Sequence, residues 1–372
     1  MMNDMQKAFQ DGIEGKNKGL PTGIGKLDNA IYSIQKGMIY GVASPPKVGK
    51  STFVDSVFII EPYMHMIENP DIEIDFFYWS LEMGKLVVRY KYAAHFFYRD
   101  HGISTVTLPE GKTHKRSPVI PMQSSYLLSR MKYDNGEPIE VQQEHRVLFD
   151  RIVRERITPM FGEYDVQGNK TKNGAIRLIE DKNDSNPTGI YQYLMNYAKQ
   201  NGKFIMQSYR VGSIMKERIA GYAPNNPEKY VIVVLDHLRN MKKEKGYSLK
   251  QNMDKMTEYQ VMLRNVCRFT FVDIVHLNRN ISDTNRIRFN QEFLFPNNSD
   301  LKDSGNLSED ADYLITLFNA NDDRYNISTH FGMDIDDIPN YRSIHLVESR
   351  HSECPVHIQT EMFAGISKFE EL

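Results

Sequence analysis

The chain has 372 residues, 40% of them hydrophobic and 25% charged, and a formal net charge of −2. That length suits about two domains or one enlarged domain, and the near-neutral charge excludes a protein coated in positive charge, so nucleic-acid contact must come from local loops. Two cysteines, Cys267 and Cys354, exclude a disulfide framework or a cysteine-rich zinc domain and fit a reducing cytoplasm.

Residues 1–18 are polar, contain no apolar signal-peptide core, and read as a frayed arm. Residues 38–43 (MIYGVA) form an apolar strand run that ends in the loop SPPKVGK, and residues 51–66 follow as a helix. A second strand is expected at 73–80 and a second helix at 84–99. This alternation argues for an α/β fold with a mostly parallel central sheet flanked by helices. The aromatic run Phe76, Phe77, Tyr78 and Trp79 reads as core rather than as a base-stacking platform.

The middle of the chain is polar, with a helix expected at 137–155, a loop at 168–174, a strand at 175–181 and a helix from Pro187 to Gln200. Residues 203–217 read as a β-hairpin turning near Gly212. Residues 230–235 (YVIVVL) are a nearly unbroken β-branched run, as a central parallel strand buried on both faces requires. Residues 239–250 then carry five Lys/Arg against one Glu. A helix at 251–268, a buried strand at 271–277, a polar loop at 278–303 and strands at 312–318, 342–347 and 355–360 complete the pattern. The most apolar stretches, 54–60 and 74–79, fall far short of the 18 residues a membrane span needs.

The strongest motif is Ser44-Pro45-Pro46-Lys47-Val48-Gly49-Lys50-Ser51-Thr52, a P-loop in which Ser44 replaces the first glycine. Such a loop wraps phosphates with backbone N–H groups ahead of a helix N-terminus. Lys50 would reach the β and γ phosphates of ATP, and Ser51 would ligate Mg²⁺. Asp236, at the end of YVIVVLD, fits a Walker B carboxylate that holds Mg²⁺ directly or through water. Glu82, after the strand that ends in Trp79-Ser80, either polarises an attacking water or favours a helix N-terminus through the dipole.

Ser80-Leu81-Glu82-Met83 matches the SLEM signature of DnaB-type replicative helicases. Four further segments resemble that family in the same order. They are Thr22-Gly23 with Leu27-Asp28, and His276-Leu277-Asn278-Arg279. The others are Ser299-Asp300-Leu301-Lys302-Asp303-Ser304-Gly305 with Asp310-Ala311-Asp312, and Ser349-Arg350 followed by Pro355. The resemblance runs from about Gly19 to the C-terminus. It implies a RecA-like ATPase domain at 19–372 after an arm at 1–18, with insertions near 105–174 and 201–229. It further implies ATP and Mg²⁺ as cofactors, a homo-oligomer forming a hexameric ring around single-stranded DNA in replication, and a primase or loader as partner.

Carried over by the resemblance, Lys50 and Ser51 bind phosphate and metal, Glu82 activates water, and Asp236 supports the metal. His276 takes the place of a γ-phosphate-sensing Gln, and Arg350 is the arginine finger donated to the neighbouring subunit. DNA contacts are expected from Arg239, Lys242, Lys243 and Lys245 in one loop and from Arg279, Arg286 and Arg288 in another. Departures accompany these matches. Glu348 stands where the family has a Lys, so it is expected to point away from the phosphates or to pair with a cation. About eighteen residues precede the core in this sequence, so no counterpart of the family's N-terminal domain is expected, and ring stability and primase coupling, if they exist, are expected to come from elsewhere.

The function implied is an ATP-driven DNA helicase or translocase acting in the cytoplasm, without a membrane. The alternative is an ATP-switched DNA-binding assembly, filament-like or regulatory, that unwinds nothing. His351, Cys354 and His357 have a metal-like spacing but fall beside a strand pair whose period of two divides them between faces. A GTPase lacks support because no NKxD motif is present, and a small-molecule kinase would not carry the DAD and Arg350 segments.

Overall fold

The computed structural model of the protein describes residues 4–14, 17–164, 170–180, 185–277, 281, 283–301 and 307–372. Its main strands are β1 (Ile39–Ser44), β2 (Ile74–Ser80), β3 (Ile176–Ile179), β4 (Tyr230–Asp236), β5 (Thr270–His276), β6 (Tyr313–Phe318), β7 (Tyr341–Ser349), β8 (Val356–Phe363) and β9 (Lys368–Glu371). They form one sheet in the order β9-β8-β7-β6-β1-β5-β4-β2-β3. The six strands from β6 to β3 are parallel, whereas β6 to β9 pair antiparallel. Helices cover both faces of the parallel part, which is why its strands are apolar on both sides.

The period of two is visible in β2. Phe76 and Tyr78 join the core that also contains Phe53, Phe58 and Phe96, while Phe77 and Trp79 join the opposite core with Leu194 and Met256. The four aromatics are buried, so they are core residues and offer no platform to a base. A smaller cluster of Ile281, Leu294, Phe318, Tyr325, Ile335 and Tyr341 fastens the segment after β5 to the antiparallel strands.

The helix expected after the P-loop runs as Lys50–Val54, a π-helical stretch at Asp55–Ile60, and Glu61–Glu68. The later helices are Lys85–His101, Pro187–Gln200 and Leu249–Cys267. The Asn186 side chain caps the second of these by accepting from Gly189 N at 3.0 Å. Ser248 and Gln251 form a reciprocal capping box at the start of the third.

Several expectations are corrected. The helix expected at 137–155 begins at Gln143 and continues to Phe161, because the stretch around Pro138 is extended and bridged to Lys132. In the loop expected at 168–174, Lys170–Asn173 is a strand paired with Gly162–Tyr164, and residues 168 and 169 lie outside the described residues. The polar loop at 278–303 contains a helix at Thr284–Asn290, started by the Asp283 carboxylate, which accepts from Asn285 N and Arg286 N. The N-terminal arm holds a helix at Asp4–Ile13 with Met5, Phe9 and Ile13 exposed. The hairpin is longer than expected: Gly202–Val211 pairs with Ile214–Pro224, turning at Gly212 with φ 61°.

One buried acid shapes stability. Asp273 in β5 is fully buried, and Gln260 Nε2 donates to its Oδ1 at 2.7 Å. Its Oδ2 and Gln260 Oε1 have no hydrogen-bond partner. Burial raises the carboxyl to about 7. Between about pH 4 and 7 the unfolded chain releases this proton while the folded chain keeps it, so the contribution is full at low pH and is lost as pH rises through 7. Asp273→Asn replaces the carboxylate with a neutral group that carries an N–H. The variant is expected to melt about 2–5 °C above wild type at pH 8, with the gap closing toward pH 4 in thermal denaturation. An equal gap at both pH values would contradict this assignment.

Candidate nucleotide site

Four segments far apart in sequence meet because their strands are parallel neighbours. In the register, Ser44 of β1 lies opposite His276 of β5, and Asp236 of β4 lies opposite Ser80 of β2. Each chain segment leaves the sheet at this same carboxyl edge, where α/β proteins bind ligands.

The loop after β1 turns through Lys47 at φ 66° and Gly49 at φ 111°. Gly49 is required both for that angle and for space, since a Cβ there would lie 2.3 Å from Met362 Sδ. Arg342 Nε donates to Val48 O at 3.1 Å and braces the loop from β7. Pro45 is buried, while Pro46 and Lys47 are exposed. Ser44 Oγ donates to Pro45 O at 2.7 Å, so the small hydroxyl ties the turn that a glycine would otherwise make. Lys50 Nζ donates to Ser44 O at 3.0 Å, Ser44 Oγ at 3.1 Å and Pro45 O at 3.2 Å. Burial lowers its ammonium to about 8, against the opposing pull of Asp236 and Glu82. Ser51 and the buried Thr52 follow in the first helical turn.

Asp236 is fully buried. Tyr78 OH donates to its Oδ2 at 3.2 Å, and its Oδ1 has no hydrogen-bond partner. Burial and the neighbouring Asp55 charge raise its carboxyl to about 6, while the Ser51 hydroxyl lowers it. Asp55 is itself held by Lys91 Nζ at 2.7 Å and Tyr92 OH at 2.9 Å. An unsatisfied buried carboxylate oxygen beside a serine hydroxyl is the donor set a hard divalent cation takes, so Ser51 and Asp236 fit Mg²⁺.

Glu82 is exposed at the mouth of β2, and His237 Nε2 lies 3.7 Å from its Oε2. The His237 ring stacks on His276, with centroids 3.9 Å apart and planes at 23°. Burial, reinforced by Lys50 and Arg239, lowers His276 to about 4, and burial with the adjacent His276 lowers His237 to about 3. Both rings are therefore neutral near pH 7 and can each donate one hydrogen bond and accept another. The sequence reading placed His276 here and missed His237, Tyr78, Asp55 and Arg342. Of these only His237, next to Asp236, was signalled by position.

Arg350 is elsewhere. Its backbone N donates to Asp312 O at 3.0 Å, and Asp312 in turn brackets Ile39 at the start of β1. The Arg350 guanidinium donates to Glu309 O and lies 3.8 Å from Asp312. Six residues of β1, about 20 Å, separate that end from the P-loop. Glu348 accepts from Asn298, an amide and not a cation. His351 lies by Asp312 while His357 bonds His345 at 2.7 Å, so the metal-like spacing with Cys354 does not converge.

Of the basic residues expected to meet DNA, Arg239, Lys242, Lys243 and Lys245 are exposed on the loop after β4. Glu244 tethers that loop through Lys255 at 2.5 Å and Thr188 N at 2.9 Å. Arg279 lies outside the described residues. Arg286 Nη1 donates to both oxygens of buried Asp300 at 2.7 and 2.9 Å, and Nη2 donates to Phe295 O at 2.6 Å, which makes Arg286 a clamp for its loop. Arg288 is exposed. Among the described residues no helix is long and apolar enough to cross a membrane.

No protein-family model and no curated protein matches the chain. Solved structures do. One described as an ATPase domain is 16% identical, with each chain covered in full and a TM-score of 0.60. A DnaB-like replicative helicase, described with its interactions with primase, is 15% identical over all of this chain and 68% of its own, with a TM-score of 0.63. The likeness is one of fold: the chain shares the α/β architecture of these two structures.

Proposed function

We propose that the chain is an ATP-driven motor on single-stranded DNA, a helicase or translocase of DnaB type whose RecA-like domain spans 19–372. The observation that carries this reading is the shared edge. Lys50, Glu82, Asp236 and His276 converge at the carboxyl ends of β1, β2, β4 and β5, and the basic loop after β4 leaves the same edge. The fold of the similar helicase ATPase domains supports it.

In this reading Lys50 leaves its three oxygen partners and holds phosphate oxygens of ATP. Ser51 and Asp236 would hold Mg²⁺, which when bound would supply positive charge against the phosphates. Glu82 accepts the proton of the attacking water, and neutral His276 donates a hydrogen bond that reports the γ-phosphate. Arg350 cannot reach its own P-loop, so it acts on the next subunit of a homo-oligomer, a hexameric ring. Arg239, Lys242, Lys243 and Lys245, with Arg288, neutralise DNA phosphates. A primase or loader would dock on the assembled ring.

The test is strand separation on a forked duplex with ATP and Mg²⁺. The expected result is ATP-dependent release of one strand, stimulated hydrolysis on single-stranded DNA, and loss of both in Glu82→Gln. Hydrolysis on single-stranded DNA without strand release under any loading condition would favour the ATP-switched DNA-binding assembly instead.

A further inference from the structure

Glu82, Asp236 and His237 place one carboxylate oxygen each and one imidazole nitrogen within 4.8 Å of one another. Among the described residues this is the one group of three His, Cys, Asp or Glu side chains so arranged. A second observation points to a ligand. Asp236 is fully buried and its Oδ1 has no hydrogen-bond partner, which is costly for a carboxylate unless a cation meets it.

The surrounding contacts suit ligation. Tyr78 OH fixes the other Asp236 oxygen, and the stack on His276 fixes the His237 ring, as outer contacts orient ligands in metal sites. Glu82, with a side chain 55% exposed, is free to swing. Metal–donor distances of about 2.1 Å set donor spacings near 3 Å, so donors that lie within 4.8 Å of one another need draw together by no more than about 2 Å to close the set. Lys50 and Arg239 are positive charges near His237, and the two carboxylates offset them.

We propose that Glu82, Asp236 and His237 bind a divalent transition-metal ion of the Co²⁺ or Zn²⁺ class. Oxygen donors with water suit Mg²⁺, whereas adding imidazole shifts affinity toward the later first-row metals. The site shares Asp236 with the Mg²⁺ position of the ATPase reading and otherwise does not rest on it. An ion held here takes the Glu82 carboxylate as a ligand and so withholds it from water.

The test is a Co²⁺ titration of the full chain without nucleotide, followed by visible absorption. One Co²⁺ per chain with an absorption band of mixed nitrogen and oxygen ligation is expected. His237→Phe should weaken binding at least about tenfold, as should Glu82→Gln at an exposed position where folding is not at risk. An equal concentration of Mg²⁺ should not displace the ion. Binding unchanged in both variants, no band, or displacement by equimolar Mg²⁺ would each overturn the proposal. Because no nucleotide is present, the result is independent of whether the chain hydrolyses ATP.

Discussion

Lys50→Ala is expected to lower ATP turnover by at least about 10³-fold, read as phosphate release under saturating single-stranded DNA. The ammonium is the charge buried inside the loop, held by Ser44 O, Ser44 Oγ and Pro45 O. A water-excluded charge aimed at a developing anion contributes far more than one in solution, and single donors of this kind account for about 10²–10³ in rate. Loss of ground-state phosphate binding adds to that. Turnover within threefold of wild type would remove Lys50, and with it the P-loop reading, from the mechanism.

Arg350→Ala is expected to lower turnover by about 10³-fold or more while leaving nucleotide affinity within severalfold, the behaviour of an arginine finger. The structure sharpens how this must happen. Arg350 is bonded to Asp312 and Glu309 at the amino end of the sheet, and Lys50 sits at the carboxyl end. An arginine held there would have to act on a neighbour's phosphates rather than on those at its own loop. Mixing the Lys50→Ala and Arg350→Ala proteins should therefore restore part of the activity, because some interfaces receive an intact P-loop and an intact arginine. No recovery in a mixture shown to co-assemble would rule out action between subunits.

Other motif segments prove to be scaffolding. In the segment Thr22-Gly23 with Leu27-Asp28, Thr22 N donates to Asp28 Oδ1 at 2.9 Å and closes the turn into the helix Gly25–Ile31. The final Asp of Asp310-Ala311-Asp312 accepts from Ile39 N at 2.8 Å and pairs with Arg264 at 3.1 Å, stapling β1 to the helix Leu249–Cys267. Asp300, in the same resemblance, is the buried partner of Arg286. A motif match alone could not separate these residues from those gathered at the carboxyl edge of the sheet.

The strands were legible because burial on both faces forces continuous apolar runs, as in β2 and β4, and the P-loop was legible because its loop chemistry is local. The helix at Thr284–Asn290 was hidden by its polarity, since the apolar residues that mark a buried face are sparse there. The short edge strand β9 was hidden by its charge: Lys368, Glu370 and Glu371 flank Phe369, and only that phenyl ring packs into the core.

By itself the sequence determined the α/β class and the order of strands β1 to β8, and it nominated Lys50, Ser51, Glu82 and Asp236 as site candidates. Tertiary structure alone decided which of them meet. Parallel pairing of β1, β5, β4 and β2 brings residues 44–52, 82, 236–237 and 276 to one edge, and antiparallel β7 carries Arg350 to the other. It also decided what surrounds each charge: Asp55 and Tyr78 behind Asp236, His237 between Glu82 and His276, Asp300 against Arg286. Local pattern records which way a side chain faces along its own strand. Register between strands distant in sequence sets the neighbours, and those neighbours set each group's protonation and its chemical use.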